Sequence, residues 1–518
     1  MLRHRAALKL AAPLFAYVLA ASACDVRDAP RPESSRGASV TSAPAAAPPS
    51  SLPNPPPELP LACATLREVS VSDVVRIDGA TMFYADAASG LTIVDVADAS
   101  RPRQVAVVPF VGVPLSLFVR EGTAWLVFID SDGQFIRGKV ATVVRAVDVR
   151  VPSRPRIIGE LAREGTALDA KLVGGFLYLM RGTADRTVVE SFGLRSGALR
   201  ALDTVDIRGA PAQLAASSAG LGAVTVDDDH STVAWIDLPL DQPGALLLRE
   251  AVRVQGGVAT WERGERRIVD ADDGQRVRLV TCATRSCGPS EAATLRVVDF
   301  GTQATARVGP SLRLTEHGGL PITRFADELL YIAETSLTSR GGAVLHVVLT
   351  EDRGPRFVSH LPLRGMLSGL VPRDGSLVAL GTVESAESAS SIVIHDIDVR
   401  KPSAPRLRST VSFGSDWTWS VALDDEAALS FDPSSQLVGI PFTAWRQADK
   451  RLVTGTQLVE LGPYGGQSAV TIPADGYVER AIFLDGHLVT IGPSGVAAFD
   501  YASVRRHDLA ERGVDLGR

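Results

Sequence analysis

Short apolar runs alternate with turn residues along most of the chain, with little of the periodicity that marks helices. Clear examples enter through Gly-Gly or Asp-Gly turns at residues 174–180, 374–380 and 485–491. The runs are rich in Val, Ile, Leu and Tyr, and Asp-Gly pairs suit the positive backbone angles of tight hairpins. The pattern therefore predicts short antiparallel β-strands joined by hairpins.

A longer repeat organises these strands into units. An aspartate stands seven residues before a proline in three segments, which begin at Asp95, Asp148 and Asp398. Each unit is predicted to hold four strands and to recur about every 45 to 60 residues, which indicates an all-β propeller. Candidate innermost strands begin near Val74, Leu115, Leu168, Gln213, Arg267, Thr323, Leu367, Ala427 and Glu479. We therefore predict eight or nine four-stranded blades, and the count favours nine.

The two ends of this region predict how the ring closes. The segment 64–71 precedes the first complete unit and has no partner of its own, whereas the last unit supplies only three strands. An open sheet would expose unpaired edges, which closed propellers avoid. We expect the N-terminal strand to pair with the last three strands and close the ring.

Two stretches of the repeat resemble known bacterial families. Residues 90–102, Gly-Leu-Thr-Ile-Val-Asp-Val-Ala-Asp-Ala-Ser-Arg-Pro, resemble the LVIVD repeat of cell-surface propellers. Residues 427–442 and 478–500 are similar to secreted proteins described as having a C-terminal β-propeller domain. The resemblance implies export and a propeller. It implies no established enzymatic activity, so no catalytic residue is transferred.

The N-terminus has the features of a bacterial export signal. Basic residues precede the apolar stretch 10–19, which is too short to span a bilayer, because a spanning helix needs about 20 apolar residues. The sequence Leu-Ala-Ala-Ser-Ala before Cys24 resembles the lipobox of lipoproteins, in which the cysteine carries a diacylglyceryl group. We predict lipidation of Cys24. The alternative is an ordinary signal peptide that leaves Cys24 as a free thiol.

The order of segments predicts a tethered head. We assign residues 1–23 to the signal peptide, 24–62 to a Pro/Ala/Ser-rich disordered tether, 63–505 to the propeller and 506–518 to a charged tail. At about 3.1 Å per residue the tether would reach on the order of 100 Å. We expect a lipoprotein of the cell envelope, on the outer membrane or cell surface. The alternative location is secreted or periplasmic.

Charge and cysteine content limit the possible partners. A net charge of −6 and a pI near 5.8 give no reason to expect nucleic acid. Cys282 and Cys287 lie close enough to form a disulfide in an oxidising compartment, and a zinc site is disfavoured because no second ligand pair lies nearby. We expect Cys63 to be buried as a small apolar residue.

Catalytic sequence signatures are absent: the chain has no His-Glu-x-x-His motif, nucleophile elbow, phosphate loop or dinucleotide fingerprint. Two acidic clusters hold oxygen ligands that Ca²⁺ prefers, although solvated turns explain them better. The candidate metal residues are Asp227, Asp228, Asp229, Asp270 and Asp272.

Other notable residues are interpreted as structural. The repeated aspartates are expected to bind backbone amides at strand ends. They are Asp95, Asp148, Asp237, Asp299, Asp398 and Asp500. Trp417 and Trp419 alternate on a strand and so share one face; a sugar or peptide could stack there, but we favour core packing between blades.

Two functions remain open from the sequence. The first is a monomeric, non-catalytic module that is tethered to a membrane by its lipid and binds a protein or glycan. The alternative is an extracytoplasmic hydrolase or lyase with a divalent-ion site in the propeller channel, because propellers can assemble sites that leave no linear motif.

Overall fold

A computed structural model describes residues 69–501, except 71–72, 184, 196, 228, 259–267, 285–290, 302–304, 316–320, 337–341, 352–353, 385–389, 415–416, 433, 435, 448–449 and 462–465. The described residues belong to one compact unit, Ala64–Arg518. Their regular structure is β-strand apart from two 3-10 helices, which makes the protein all-β.

The first four sheets each contain a set of four antiparallel strands in chain order, and the short strand β1 (Val69–Ser70), which precedes them in the chain, is a fifth strand of the third sheet. The first sheet is β2 (Val75–Asp78), β3 (Thr81–Asp86), β4 (Gly90–Asp95) and β5 (Arg103–Val108). The second is β6 (Val113–Arg120), β7 (Thr123–Asp130), β8 (Ala141–Asp148) and β9 (Arg156–Glu164). The third is β10 (Thr166–Val173), β11 (Phe176–Gly182), β12 (Arg186–Arg195) and β13 (Ala198–Arg208). The fourth is β14 (Ala210–Ala216), β15 (Gly220–Asp227), β16 (His230–Asp237) and β17 (Leu247–Gln255).

The remaining sheets follow the same plan with more variation. The fifth is β18 (Val269–Ala271), β19 (Arg276–Thr281), β20 (Thr294–Asp299), β21 (Arg307–Val308) and β22 (Leu312–Arg313). The sixth is β23 (Ile322–Ala326), β24 (Leu329–Ser336), β25 (Gly342–Leu349) and β26 (Arg356–Arg364). The seventh contains nine strands: β27 (Met366–Arg373), β28 (Ser376–Glu384), β29 (Ser390–Asp398), β30 (Arg406–Phe413), β31 (Trp417–Trp419), β32 (Ser430–Asp432), β33 (Leu437–Arg446), β34 (Arg451–Glu460) and β35 (Gln467–Pro473). The 3-10 helices η1 (Val421–Leu423) and η2 (Glu426–Ala428) lie between β31 and β32. The eighth is β36 (Arg480–Leu484), β37 (His487–Gly492) and β38 (Gly495–Asp500).

First strands lie at the centre and fourth strands lie outside. The first strands of successive sheets contact one another, as β2 does with β6, β6 with β10 and β10 with β14. Fourth strands such as β5 and β17 are largely exposed. Several first strands also carry a β-bulge near their start, between Pro114 and Ser116, Ala167 and Asp169, Pro211 and Gln213, and Leu367 and Gly369.

Hydrophobic clusters between successive sheets close the series into a ring. One cluster joins Leu91 of the first sheet to Leu126 of the second, and the clusters continue from sheet to sheet through the seventh and eighth. The last cluster packs Val489 and Ile491 of the eighth sheet against Met82 and Val94 of the first. The face-to-face packing of sheets in a ring makes this a β-propeller.

Closure by an N-terminal strand is wrong for the described residues of that segment. Val69 pairs with Val173 and Ser70 with Leu172, so β1 adds to the third sheet beside β10. Val69 packs against the apolar cluster between the third and fourth sheets, and this contact stabilises β1 beside β10. The first and eighth sheets instead meet through side chains.

The strand spacing follows the sequence prediction closely. For example, the predicted starts near Val74, Leu367 and Glu479 fall within one residue of β2, β27 and β36. The nine-stranded seventh sheet contains two successive sets of strands, which meet where β31 pairs with both β29 and β33. The choice between eight and nine blades stays a prediction.

Candidate functional site

A network of charged side chains joins the sixth, seventh, eighth and first sheets near their innermost strands. Arg480, at the start of β36, has a side chain that is only 7% exposed. Its Nη2 donates to Asp73 Oδ1 at 3.1 Å and also pairs with the Asp425 carboxylate. Burial alone would lower the pKa of Arg480, but these two carboxylates outweigh it and raise the pKa above its usual value. Arg480 thus stays charged and ties three segments together.

Helix η2 extends this network in the opposite direction. Asp425 caps the helix by accepting from the backbone of Ala427 at 3.0 Å. The next residue, Glu426, accepts from Arg324 Nη1 in β23 at 2.8 Å and from the backbone N–H of Leu370 in β27 at 2.9 Å. Neighbouring carboxylates therefore reach towards different sheets. We call Asp73, Arg324, Asp425, Glu426 and Arg480 the inner ion-pair network.

A tyrosine–glutamate pair lies beside the network at the junction of the first and eighth sheets. Tyr84 Oη donates to Glu479 Oε2 at 2.6 Å. Burial raises the pKa of Glu479 above its usual range, and burial followed by the charge of Glu479 raises the pKa of Tyr84 strongly. The pair therefore favours a neutral tyrosine and resists loss of a proton.

A separate ion pair lies on the third sheet. Lys171 Nζ contacts Asp169 Oδ1 at 2.7 Å in β10, and Asp169 Oδ2 accepts from the backbone N–H of Leu214 in β14 at 3.2 Å. Both side chains are mostly buried. As in the inner ion-pair network, the charged group holds neighbouring sheets in register.

The repeated aspartates have the structural role that the sequence predicted at four positions. Each accepts from the backbone N–H two residues further on, beyond the end of the third strand of its repeat. The residues are Asp95, Asp148, Asp299 and Asp398. Asp237 instead accepts from the indole of Trp235 and from Arg249, and its role at the strand end is again structural.

Arginines explain the Asp-to-Pro spacing. Arg103, Arg156 and Arg406 begin the fourth strand directly opposite Asp95, Asp148 and Asp398. Arg103 contacts Asp95 at 3.2 Å and Arg156 contacts Asp148 at 3.1 Å. Hydrogen bonds from Arg150 and Arg400 lower the pKa of Asp148 and Asp398 well below the usual range. The motif is therefore a corner that fixes the turn between the third and fourth strands.

The two acidic clusters are not brought together. Asp273 accepts from Ser218 at the β14–β15 turn, which places the second cluster at that end of β15. Asp227 lies at the other end of the strand, seven residues from Gly220 and so about 23 Å away. One cation cannot bridge the clusters.

The described candidate metal residues each contact a cationic side chain or histidine. Asp270 pairs with Arg278, Asp272 with Arg276 at 2.8 Å, and Asp227 with Arg253 at 3.7 Å. Asp229 is hydrogen-bonded to His230, which lowers its pKa. Asp228 lies outside the described residues. In the part of the chain that the structure describes, no group of three or more His, Cys, Asp or Glu residues is arranged to hold a metal ion.

Cysteine positions are described only in part. Cys282 is buried and disulfide-bonded. Cys24, Cys63 and Cys287 lie outside the described residues, so the pairing of Cys282 with Cys287 and the lipidation of Cys24 stay predictions. None of the helical segments in the described ranges has the length and apolar character needed to cross a membrane.

The tryptophan pair differs from the core packing that we favoured. Trp417 is 49% exposed, and only Trp419 is partly buried, where it stacks on Tyr477 with ring centroids 6.2 Å apart. Trp417 lies directly opposite Trp445 on β33, which is also exposed. The core interpretation is wrong for Trp417, because β33 and β34 extend past the neighbouring sheet.

The inner ion-pair network was not recognised from the sequence. Its arginines and acids are separated by more than 50 residues along the chain and share no local motif. One signal was available: the acidic run 424–426, Asp-Asp-Glu, directly precedes the innermost strand that was predicted to begin near Ala427. Asp425 and Glu426 are largely removed from water, and carboxylates in such positions require cationic partners.

Comparison with known proteins supports the propeller fold. The family described as "Beta propeller domain" matches residues 347–504. No curated protein matches the chain.

Several solved structures are similar to the chain at low sequence identity. Sqt1 from Chaetomium thermophilum is 12% identical with a TM-score of 0.41, over 74% of this chain and 93% of that one. The β-propeller domain of the Trilobed protease from Pyrococcus furiosus is 10% identical with a TM-score of 0.33, over 67% of this chain and 92% of that one. A hypothetical selenium-binding protein from Sulfolobus tokodaii is 10% identical with a TM-score of 0.37, over 74% and 93% of the two chains.

Proposed function

We propose that this protein is a non-catalytic interaction module, held at the bacterial envelope by a lipid on Cys24 and displayed on the 24–62 tether. The observation that carries the proposal is the inner ion-pair network. Its three carboxylates and two arginines pair with one another between the first, sixth, seventh and eighth sheets, which supports a structural role for the charged groups in this part of the ring. Recognition then falls to the loops and strand ends at the rim.

The resemblance of residues 90–102 to the LVIVD repeat and of the C-terminal segments to secreted propeller proteins supports the envelope location. The apolar stretch 10–19 followed by Cys24 supports a lipoprotein signal. In this proposal the lipid is the membrane attachment and the propeller acts as a monomer.

The anchor is tested by fractionating cells that express the full chain or its Cys24→Ala variant. We expect the unaltered protein to sediment with membranes and the variant to become soluble, because a lipid chain supplies the apolar contact with the bilayer. Sedimentation of both proteins with membranes would contradict the anchor.

The interaction role is tested by chemical cross-linking in the native envelope, followed by capture of the full-length protein. We expect a saturable partner of defined composition. The absence of any enriched protein or glycan, relative to an unrelated lipoprotein control, would contradict the proposal.

A further inference from the structure

An exposed aromatic row lies where β31, β33 and β34 run side by side. Trp417, Trp445 and Leu452 occupy directly opposite positions on these three strands. Directly opposite residues project from the same face of a sheet, so the three side chains form one continuous row. They are 49%, 38% and 54% exposed, respectively. We call these three residues the aromatic row, after its two tryptophans.

The row is exposed because β33 of the seventh sheet extends beyond the neighbouring eighth sheet. Gly439 of β33 lies against Leu488 of β37, so the two strands are aligned at that level. From there β37 continues only to Gly492, whereas β33 continues to Arg446. The difference of three residues projects β33 about 10 Å beyond the eighth sheet. Trp445 lies on the same face of β33 as Gly439, in the part of the strand that extends beyond the eighth sheet.

The dimensions and chemistry of the row suit a flat ligand. Three neighbouring strands at about 4.8 Å spacing give a strip about 10 Å long, the length of about two sugar rings. An indole face carries negative charge density and packs against the weakly positive C–H groups of a pyranose. The indole N–H of Trp445 already donates to Gln447 Oε1 at 3.0 Å, which leaves the ring face as its contact surface.

The end of the same hairpin is basic. Arg446 ends β33, Lys450 directly precedes β34 and Arg451 begins it. The sequence 446–451 contains these three basic residues and one acid. Lys450 and Arg451 are exposed. This excess of positive charge contrasts with the net charge of −6 of the whole chain. Guanidinium and ammonium groups bind carboxylates, so the charge complements an acidic ligand.

We propose that the aromatic row and the basic hairpin end together bind an anionic polysaccharide, whose sugar rings stack on Trp417 and Trp445 while its carboxylates meet the cationic side chains. This inference rests on the proposed interaction function and specifies its ligand class. Tryptophan and arginine are also enriched among the residues that dominate binding energy at interfaces, because the indole buries a large rigid surface and the guanidinium forms charged hydrogen bonds.

The test uses the full-length protein in detergent with two probes, polygalacturonate and its fully methyl-esterified form. The two share a backbone and differ in charge. Binding is followed by tryptophan fluorescence and by mobility in gels that contain the polymer. We expect polygalacturonate to bind, its affinity to fall at least tenfold in Trp417→Ala and in Trp445→Ala, and binding to weaken with added salt.

The matched control is Phe357→Ala, an aromatic residue that is 41% exposed on a different sheet. We expect its affinity to stay within twofold of the unaltered protein. Thermal unfolding by circular dichroism is measured for all variants, and we expect little change because the tryptophans are exposed.

Three results would overturn the inference. They are equal binding of the esterified polymer, binding that Trp417→Ala leaves intact, and tryptophan-dependent binding to phosphatidylglycerol vesicles without polygalacturonate binding, which would assign the row to a membrane surface. Envelope cross-linking with the Trp417→Ala/Trp445→Ala variant separates the two levels. If the unaltered protein does not bind polygalacturonate but the double variant still cross-links to the same partners, only the inference is overturned. If no partner is found at all, the proposed function is overturned.

Discussion

Removing the charge of Arg480 is the sharpest test of how the ring is held together. The substitution Arg480→Met keeps most of the apolar stem and removes the guanidinium. It leaves the carboxylates of Asp73 and Asp425, which are 17% and 29% exposed, without their shared counter-charge. Breaking a buried ion pair in this way costs about 3–5 kcal/mol. Because both acids retain some solvent contact, we expect Arg480→Met to lower the free energy of unfolding by about 3 kcal/mol, the lower end of that range.

A surface pair provides the matched control. Arg103 contacts Asp95 at 3.2 Å, but the two side chains are 75% and 38% exposed. Exposed pairs contribute about 0.2–1 kcal/mol. We therefore expect Arg103→Met to lower the free energy of unfolding far less than Arg480→Met does.

The assay is urea unfolding followed by circular dichroism and by tryptophan fluorescence, interpreted only where the two transitions coincide. Adding Asp73→Asn and Asp425→Asn to Arg480→Met is expected to recover more than half of the loss, because the unpaired charges disappear while asparagine still caps η2. Equal effects of Arg480→Met and Arg103→Met, or no recovery in the triple variant, would refute the reasoning.

Three further predictions concern backbone and pH. Gly90 and Gly79 both have positive φ, but a Cβ on Gly90 would lie 2.6 Å from the Val108 carbonyl oxygen and one on Gly79 meets nothing within 4 Å. We expect Gly90→Ala to destabilise by at least about 1 kcal/mol more than Gly79→Ala in urea unfolding; equal losses would contradict the clash. Burial raises the pKa of Glu479 in the folded protein, which favours folding at low pH. This contribution is lost as the pH rises through the folded-state pKa, but glutamine does not titrate. The stability of Glu479→Gln relative to the unaltered protein should therefore increase from pH 4 to pH 8. Thermal scans across that range check this, and a constant difference would refute it. The lowered pKa of Asp398 contributes stability above about pH 4 that is lost at lower pH, so the deficit of Asp398→Asn should shrink on acidification; a deficit that grows in acid would contradict it.

Local signals in the sequence were sufficient for the scaffold. Strand starts such as Val75 and Arg480 lie next to positions that the apolar runs and turns predicted. The role of Asp148 and Asp398 was also predictable, because an aspartate at a strand end has backbone amides within reach. These features depend on residues that are close in the chain.

Features that depend on distant residues could not be predicted in the same way. The position of Val69 is set by an apolar cluster of the third and fourth sheets, which no local pattern encodes. The exposure of Trp417 follows from the difference in length between β33 and β37, two strands in different sheets. Arg324 and Glu426 are joined only when the ring brings their sheets together.

The central claim, that the propeller binds its partner without altering it, is tested most directly by the intact mass of that partner. The full-length protein is incubated in excess with the partner captured from the envelope, and the partner is weighed by mass spectrometry before and after. We predict a stable complex and an unchanged mass. A partner that is cleaved or chemically modified only when the protein is present would contradict the claim and establish an enzyme.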